Sequence, residues 1–178
     1  MFDLQPTLSG KLLSLRPLRE TDFPALFSAA SDPEIWAQHP ARDRYTEPVF
    51  RKFFDGGIES GGAFIIHDLA SGSVIGSSRF CFYSQERDEI EIGFTFLSRQ
   101  FWGGAYNSEL KSLMLNHAFN YVGSVIFCVG SGNFRSQRAV QKLGAEVDKS
   151  SIHCEPGRII YRLSKAHYLA RPVKYAAS

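Results

Sequence analysis

In the stretch SRQFWGGAYNSELK, residues 98–111, Gly103 and Gly104 stand where an alternating hydrophobic run ends and a helical pattern begins. Glycine lets a backbone adopt left-handed angles and lets a ligand come close to the chain. The first amides of a helix lack intrahelical partners, and the macrodipole adds about half a positive charge at that end. Two glycines ahead of a helix therefore form a cradle for an anion such as phosphate. They serve equally as a tight strand-to-helix turn, and taken alone they leave both readings open. A dinucleotide site is excluded because G-x-G-x-x-G is absent. Glu89 and Glu91 share one face of a strand, where a carboxylate either takes a proton or simply faces solvent.

Other reactive residue types give weaker signals. Cys81, Cys128 and Cys154 each sit in a hydrophobic alternating stretch without C-x-x-C spacing, which reads as buried, reduced thiols. The histidines at 39, 67, 117, 153 and 167 show no ligand spacing, so no metal is expected. The glycine-rich GGIESGG, 56–62, lacks GK[ST] and a preceding strand, and reads as a plain loop.

The elements that must position these residues follow from periodicity. Alternation over 11–18 predicts a first strand. Helical spacing over 20–32, capped at Thr21 or Asp22, predicts a helix that stops at Pro33, and a second amphipathic helix over 46–57 places Phe50, Phe53 and Phe54 on one face and ends at glycines. Three strands at 63–69, 73–83 and 88–97 form an antiparallel meander, with Gly93 marking a bulge or a close backbone approach. The longest helix spans 105–122, with Leu110, Leu113, Met114, His117, Ala118 and Tyr121 on its apolar side. A strand over 124–130, a helix over 133–144 capped by Asn133, and closing strands near 146–154 and 158–164 complete a mixed α+β fold.

A chain of 178 residues suits one domain burying about 70% of its unfolded surface. The formal charge of +2 has its Lys and Arg scattered, so no nucleic-acid partner is expected. No run of 18 apolar residues occurs, and Met1, Phe2 and Asp3 do not begin a basic-then-apolar leader, so no membrane and a cytoplasmic location are expected.

Gln100, Gly103 and Ala105 fit Q/R-x-x-G-x-G/A, and the surrounding order is strand, this loop, long helix, strand, then N-x-x-S (Asn133, Ser136) opening a helix that ends in KLGA. In this the chain resembles the GNAT superfamily of N-acetyltransferases over roughly 10–165, leaving 166–178 as a tail. LLSLRPLRETDFPALF and SDPEIW resemble its Rim-type branch, whose members acetylate the N-termini of ribosomal proteins. The resemblance implies a mostly antiparallel twisted sheet of about six to seven strands, flanked by about four helices and splayed into an acetyl-CoA cleft. It implies that acetyl-CoA is a co-substrate: Thr95, Phe96 and Leu97 pair with its thioester arm, Gln100, Trp102, Gly103, Gly104, Ala105 and Tyr106 bind the pyrophosphate, and Asn133 and Ser136 contact it from the second helix. A helix tyrosine that protonates the leaving thiolate in many relatives is absent, Ala139 and Val140 standing near its position, and Ser136 is the candidate donor.

The acceptor implied is a primary amine, at a protein N-terminus or on a small molecule such as an aminoglycoside, polyamine or amino acid; a non-catalytic coenzyme A-binding module is the alternative. Neutralising an α-amine at pH 7 costs roughly 1.2 kcal/mol and a lysine roughly 4.6, so an N-terminal amine needs only a modest base. Glu91 matches the catalytic glutamate of several GNAT enzymes, acting directly or through water. Trp36, His39 and the phenylalanines at 50, 53 and 54 line the acceptor side, with core packing as the competing role. The cysteines are expected away from the loop, which favours direct attack over a thiol intermediate. A monomer or homodimer is expected.

Overall fold

The computed structural model describes residues 1–149 and 156–170. In chain order the strands are β1 (Leu8–Ser9), β2 (Leu13–Pro17), β3 (Ala63–Asp68), β4 (Val74–Ser84), β5 (Glu89–Leu97), β6 (Ser124–Gly130), β7 (Glu146–Val147) and β8 (Arg158–Ser164). They form one eight-stranded sheet in the order β1-β2-β3-β4-β5-β6-β8-β7. Every pairing is antiparallel except β5 with β6. The helices are α1 (Phe23–Ala30), α2 (Glu47–Glu59), α3 (Ala105–Ala118), α4 (Phe134–Lys142) and α5 (Lys165–Ala170). This is the mixed α+β fold expected, with one strand and one helix beyond the ranges foreseen.

Alternation along the strands divides the core in two. Phe64 and Ile66 of β3 join Leu13, Leu15, Ile90, Ile92 and the α3 residues Leu110, Met114 and Leu115. Ile65, between them, joins Phe23, Leu26, Phe50, Phe54 and Phe96 under α1 and α2. Successive side chains point to opposite faces, so α3 covers one face of the sheet and α1 with α2 the other. The position of α3 is set by Glu109, whose carboxylate accepts from the amides of Lys11, Leu12 and Leu13 at 2.8, 2.8 and 3.0 Å and so caps the β1–β2 turn.

Several boundaries differ from expectation. Gly56 and Gly57 lie inside α2, which runs on to Glu59, so only the end of GGIESGG is a loop; Gly61, at φ 62°, makes the turn. Gly57 is buried, and a Cβ there would stand 3.1 Å from Arg79 and 3.3 Å from Leu18, so this glycine serves close helix–sheet packing. α3 ends at Ala118, and its buried face is Leu110, Lys111, Met114, Leu115 and Ala118. Leu110, Met114 and Ala118 are buried as foreseen, whereas Tyr121 is exposed and Lys111 occupies a core position beside them. The strand foreseen over 146–154 is two residues long among the described residues; 150–155, with His153 and Cys154, lie outside them. The segment read as a tail opens with α5.

Candidate active site

β5 and β6 pair through Glu89↔Ser124, Ile90↔Val125 and Glu91↔Ile126, and no further pair joins them. β6 is held on its far side by β8 along its whole length, while β5 stays with β4. The two parallel strands therefore part just past Glu91, leaving the β6 side of β5 from Ile92 to Leu97 without a strand partner. On the β4 side the register steps from Arg79↔Gly93 to Ser77↔Phe96, a bulge in which Phe94 takes φ 53°. Gly93 itself stays paired with Arg79 and the bulge falls on Phe94 and Thr95, opposite Ser78, so of the two roles foreseen for this glycine it takes the close approach. Its hydrogen leaves room for the Glu91 carboxylate, since a Cβ there would lie 2.6 Å from Oε1.

Past Leu97 a short 3-10 turn, Arg99–Phe101, leads to Gly103 at φ 72°, and then Gly104 caps α3 with no side chain bonded to its first amides. No atom comes within 4 Å of a Cβ built on either glycine, so the space beside these amides is open. Gln100 is exposed at the rim. Trp102 ties the loop to β5 by donating from Nε1 to the Leu97 carbonyl at 2.8 Å, and the Arg135 guanidinium stacks 3.7 Å from its ring centroid, linking the loop to α4. The Tyr106 hydroxyl donates to Asp68 at 2.7 Å, which anchors the start of α3 to the end of β3. Ala105 is the first residue of α3 and carries only a methyl beside the open space. On α4, Asn133 is buried and accepts from the Ser136 amide at 3.1 Å as a helix cap. Ser136 itself is half-buried, its hydroxyl without a protein partner among the described residues.

Both strand glutamates are buried, at 3% and 8% exposure for Glu89 and Glu91, so neither has the solvent-facing fate that is commoner for Glu. Their environments differ. Glu89 is ion-paired to Arg87 at 2.6 Å and Arg162 at 2.7 Å, and Arg162 also meets Asp148 at 2.7 Å, so Glu89 fastens the closed end of the strands. For Glu91, burial raises the carboxyl pKa to about 7, against the opposing pull of Arg158 and Lys111.

Lys111 is the site residue that periodicity missed. It is 6% exposed, donates from Nζ to Thr95 Oγ1 at 2.7 Å, and lies 5.6 Å from the Phe127 ring centroid on β6. Thr95 Oγ1 also shares a 2.7 Å hydrogen bond with Ser78. Burial lowers the Lys111 pKa to about 7, with Glu91 pulling the other way. The detectable signal was a lysine one turn before Met114 and Leu115, on the apolar side of its helix.

Cys81 pairs across from Glu91, so this thiol stands beside the carboxylate, closer to the site than the sequence reading foresaw. Burial and then Glu91 raise its pKa, keeping it protonated. Cys128 is half-buried on β6. Among the described residues no group of three His, Cys, Asp or Glu side chains could hold a metal, and no helix is long and apolar enough to cross a membrane.

The site thus combines an open amide cradle, an unpaired strand edge leading from it, and a buried acid and base where the strands part. A model of the acetyltransferase (GNAT) domain matches residues 13–146. A putative acetyltransferase from T. thermophilus is similar at 28% identity and TM-score 0.74, over 95% of this chain and 94% of that one. A GCN5-related N-acetyltransferase from Brucella melitensis shares the fold at 18% identity and TM-score 0.80, over 93% of this chain and 81% of that one. So does Mycobacterium smegmatis RimJ, solved in complex with CoA-disulfide, at 14% identity and TM-score 0.70, over 93% of this chain and 91% of that one.

Proposed function

We propose, from the premise that the chain belongs to the GNAT acetyltransferase family, that this enzyme passes acetyl from acetyl-CoA directly to a primary amine, with the α-amine of a protein or peptide as acceptor. The observation that carries this reading is the parting of β5 from β6 beside buried Glu91, continuous with the uncapped start of α3. The open space at Gly103 and Gly104 fits a diphosphate, and the strand edge fits an extended amide-bearing arm.

In this reading the amides of Gly103 to Tyr106 hold the pyrophosphate, the Trp102 amide expected among them being taken by the Arg99 carbonyl at 3.1 Å, with Gln100 at the rim and Asn133 and Ser136 on the opposite wall. The backbone of Thr95, Phe96 and Leu97 orients the arm as an added strand would. The bound thioester supplies the activated acyl group. Glu91, ionised above about pH 7, takes the proton of the amine at its carboxylate, directly or through water. An α-amine of pKa about 7.7 to 8.0 suits a base of that strength, whereas a lysine near 10.4 holds its proton too firmly. Ser136 Oγ donates a proton on the thiol side. Protonated Cys81 is a poor nucleophile, which supports direct attack. The N-terminal LLSLRPL and SDPEIW support the Rim-type branch, in one cytoplasmic domain.

Mass spectrometry of a peptide and amine library after incubation with acetyl-CoA tests this. N-terminally acetylated peptides are expected. Acetylation of lysine side chains with α-amines untouched would contradict the acceptor assignment.

A further inference from the structure

We propose that the acceptor carries, besides its amine, an anionic group, a carboxylate or a phosphate, bound by Arg44, Lys52 and Arg79 in the cavity beside the β5 bulge. The proposal rests on the acetyl-transfer reading above and names the substrate class of that site. The cavity measures about 320 Å³ and lies between α2 and the bulged stretch of β4 and β5, with Val49, Phe53 and Phe94 as its apolar walls. The cationic side chains that line it come from three segments: the loop before α2, α2 itself, and β4.

Among the described residues Asp43 is the carboxylate that acts on Arg44, and burial with the cations Arg158 and Arg79 outweighs it. Arg79 is 8% exposed, donates to the carbonyls of Gly56 at 3.0 Å and Phe53 at 3.2 Å, and its buried Nε has no partner among the described residues. Its guanidinium lies 4.2 Å from the Phe94 ring centroid. Arg44 lies over Phe53 at 4.6 Å and Trp36 at 5.0 Å, and its polar neighbour is Nε2 of His39 at 3.4 Å. No ion pair among the described residues involves Arg44, Lys52 or Arg79. Burial, then Arg158 and Arg79, lower the Arg44 pKa to about 10, and burial, then Arg44 and Arg158, hold His39 at about 4. A neutral His39 therefore adds no positive charge of its own beside Arg44.

An apolar-walled cavity lined by two guanidinium groups and an ammonium suits a carboxylate or phosphate, which accepts from their remaining N–H groups and offsets the mutual repulsion. It repels a polyamine or aminoglycoside. The position suits a dual-headed acceptor: Arg79 pairs opposite Gly93, two residues along β5 from Glu91, or roughly 7 Å of strand. An amine at Glu91 would reach the cavity across several bonds, as in a peptide with an acidic second residue or an aminoalkyl phosphate.

Matched acceptors that differ only in charge test the proposal through thiol release. The pairs are seryl-glutamate amide against seryl-glutamine amide, and 3-aminopropyl phosphate against 3-aminopropanol, with spermidine as the polycation. In at least one pair the anionic member is expected to show kcat/KM at least about tenfold above its neutral partner, the responding pair distinguishing carboxylate from phosphate. Arg44→Gln and the exposed Lys52→Gln should bring that ratio close to one, with the KM for acetyl-CoA unchanged. Equal kcat/KM within both pairs, or a preference for spermidine, overturns the anion site and leaves acetyl transfer standing. If no amine releases thiol, it is the acetyl-transfer reading that fails for these acceptors. Calorimetric titration with succinate and inorganic phosphate then decides the anion site: binding weakened in both variants sustains it, and no binding to the unsubstituted enzyme overturns it.

Discussion

Gly103→Gln, read against Gly72→Gln, separates backbone strain from ligand approach. Both glycines have φ 72°, and neither has an atom within 4 Å of a built Cβ, so the native protein imposes the same left-handed strain and the same free space at each. A side chain in that conformation costs roughly 1–2 kcal/mol. For a chain of this size the melting temperature falls by about 2–4 °C per kcal/mol, so both variants should melt lower by a similar, modest amount. Their affinities for acetyl-CoA should diverge. At Gly103 the new side chain occupies the space in which amides of the α3 start meet phosphate; losing two charge-assisted hydrogen bonds at about 1.5 kcal/mol each weakens binding by about 3 kcal/mol, roughly a hundredfold in Kd. At Gly72, in the β3–β4 turn, no change in affinity is expected. Thermal unfolding and calorimetry on the two variants give both quantities. Equal melting shifts with equal, unchanged Kd values would refute the cradle.

Other expectations follow from the same geometry. Glu91→Gln should lower kcat by about 10²-fold with little change in the KM for acetyl-CoA, and the rise of kcat/KM with pH through about 7 should disappear, because an acid raised by burial must ionise before it accepts a proton. A retained limb near pH 7 would remove Glu91 as the base. Lys111→Met removes a cation that favours ionised Glu91, so that limb should move to higher pH. The Lys111 pKa is lower in the folded than in the unfolded chain, so the unfolded state binds more protons between about 7 and 10.5 and stability rises with pH across that window; denaturant titration of the methionine variant should show this slope lost. Glu109→Ala strips three backbone amides of their acceptor and should cost about 2–4 kcal/mol in urea unfolding. A change below about 0.5 kcal/mol would show that the β1–β2 turn does not hold α3 in place.

The fold was legible because its signals are local. The alternation of 88–97 and 124–130 gives β5 and β6 almost residue for residue, and Asn133 announces α4 as a cap. What escaped depends on partners distant in sequence. Gly56 and Gly57 read as terminators because glycine disfavours a helix interior; the place of Gly57 in α2 follows from the close approach of Arg79 and Leu18, which no local pattern encodes. Lys111 read as a polar helix residue because only tertiary packing brings Thr95 and Phe127 around it. The cavity of Arg44, Lys52 and Arg79 unites three segments that look like ordinary scattered charge. The glycine loop was visible at once, but its alternative as a plain turn could be weighed only with the open space beside it and the strand edge leading away in view.

Hydrogen–deuterium exchange with and without acetyl-CoA tests the central claim most directly. Slowed exchange is expected in two segments, the β5 stretch from Ile92 to Leu97 and the amides from Gly103 to Tyr106, with the β2–β3 ladder unchanged. Saturating acetyl-CoA that leaves both segments exchanging at their original rates, or protects a different face of the sheet, would contradict it.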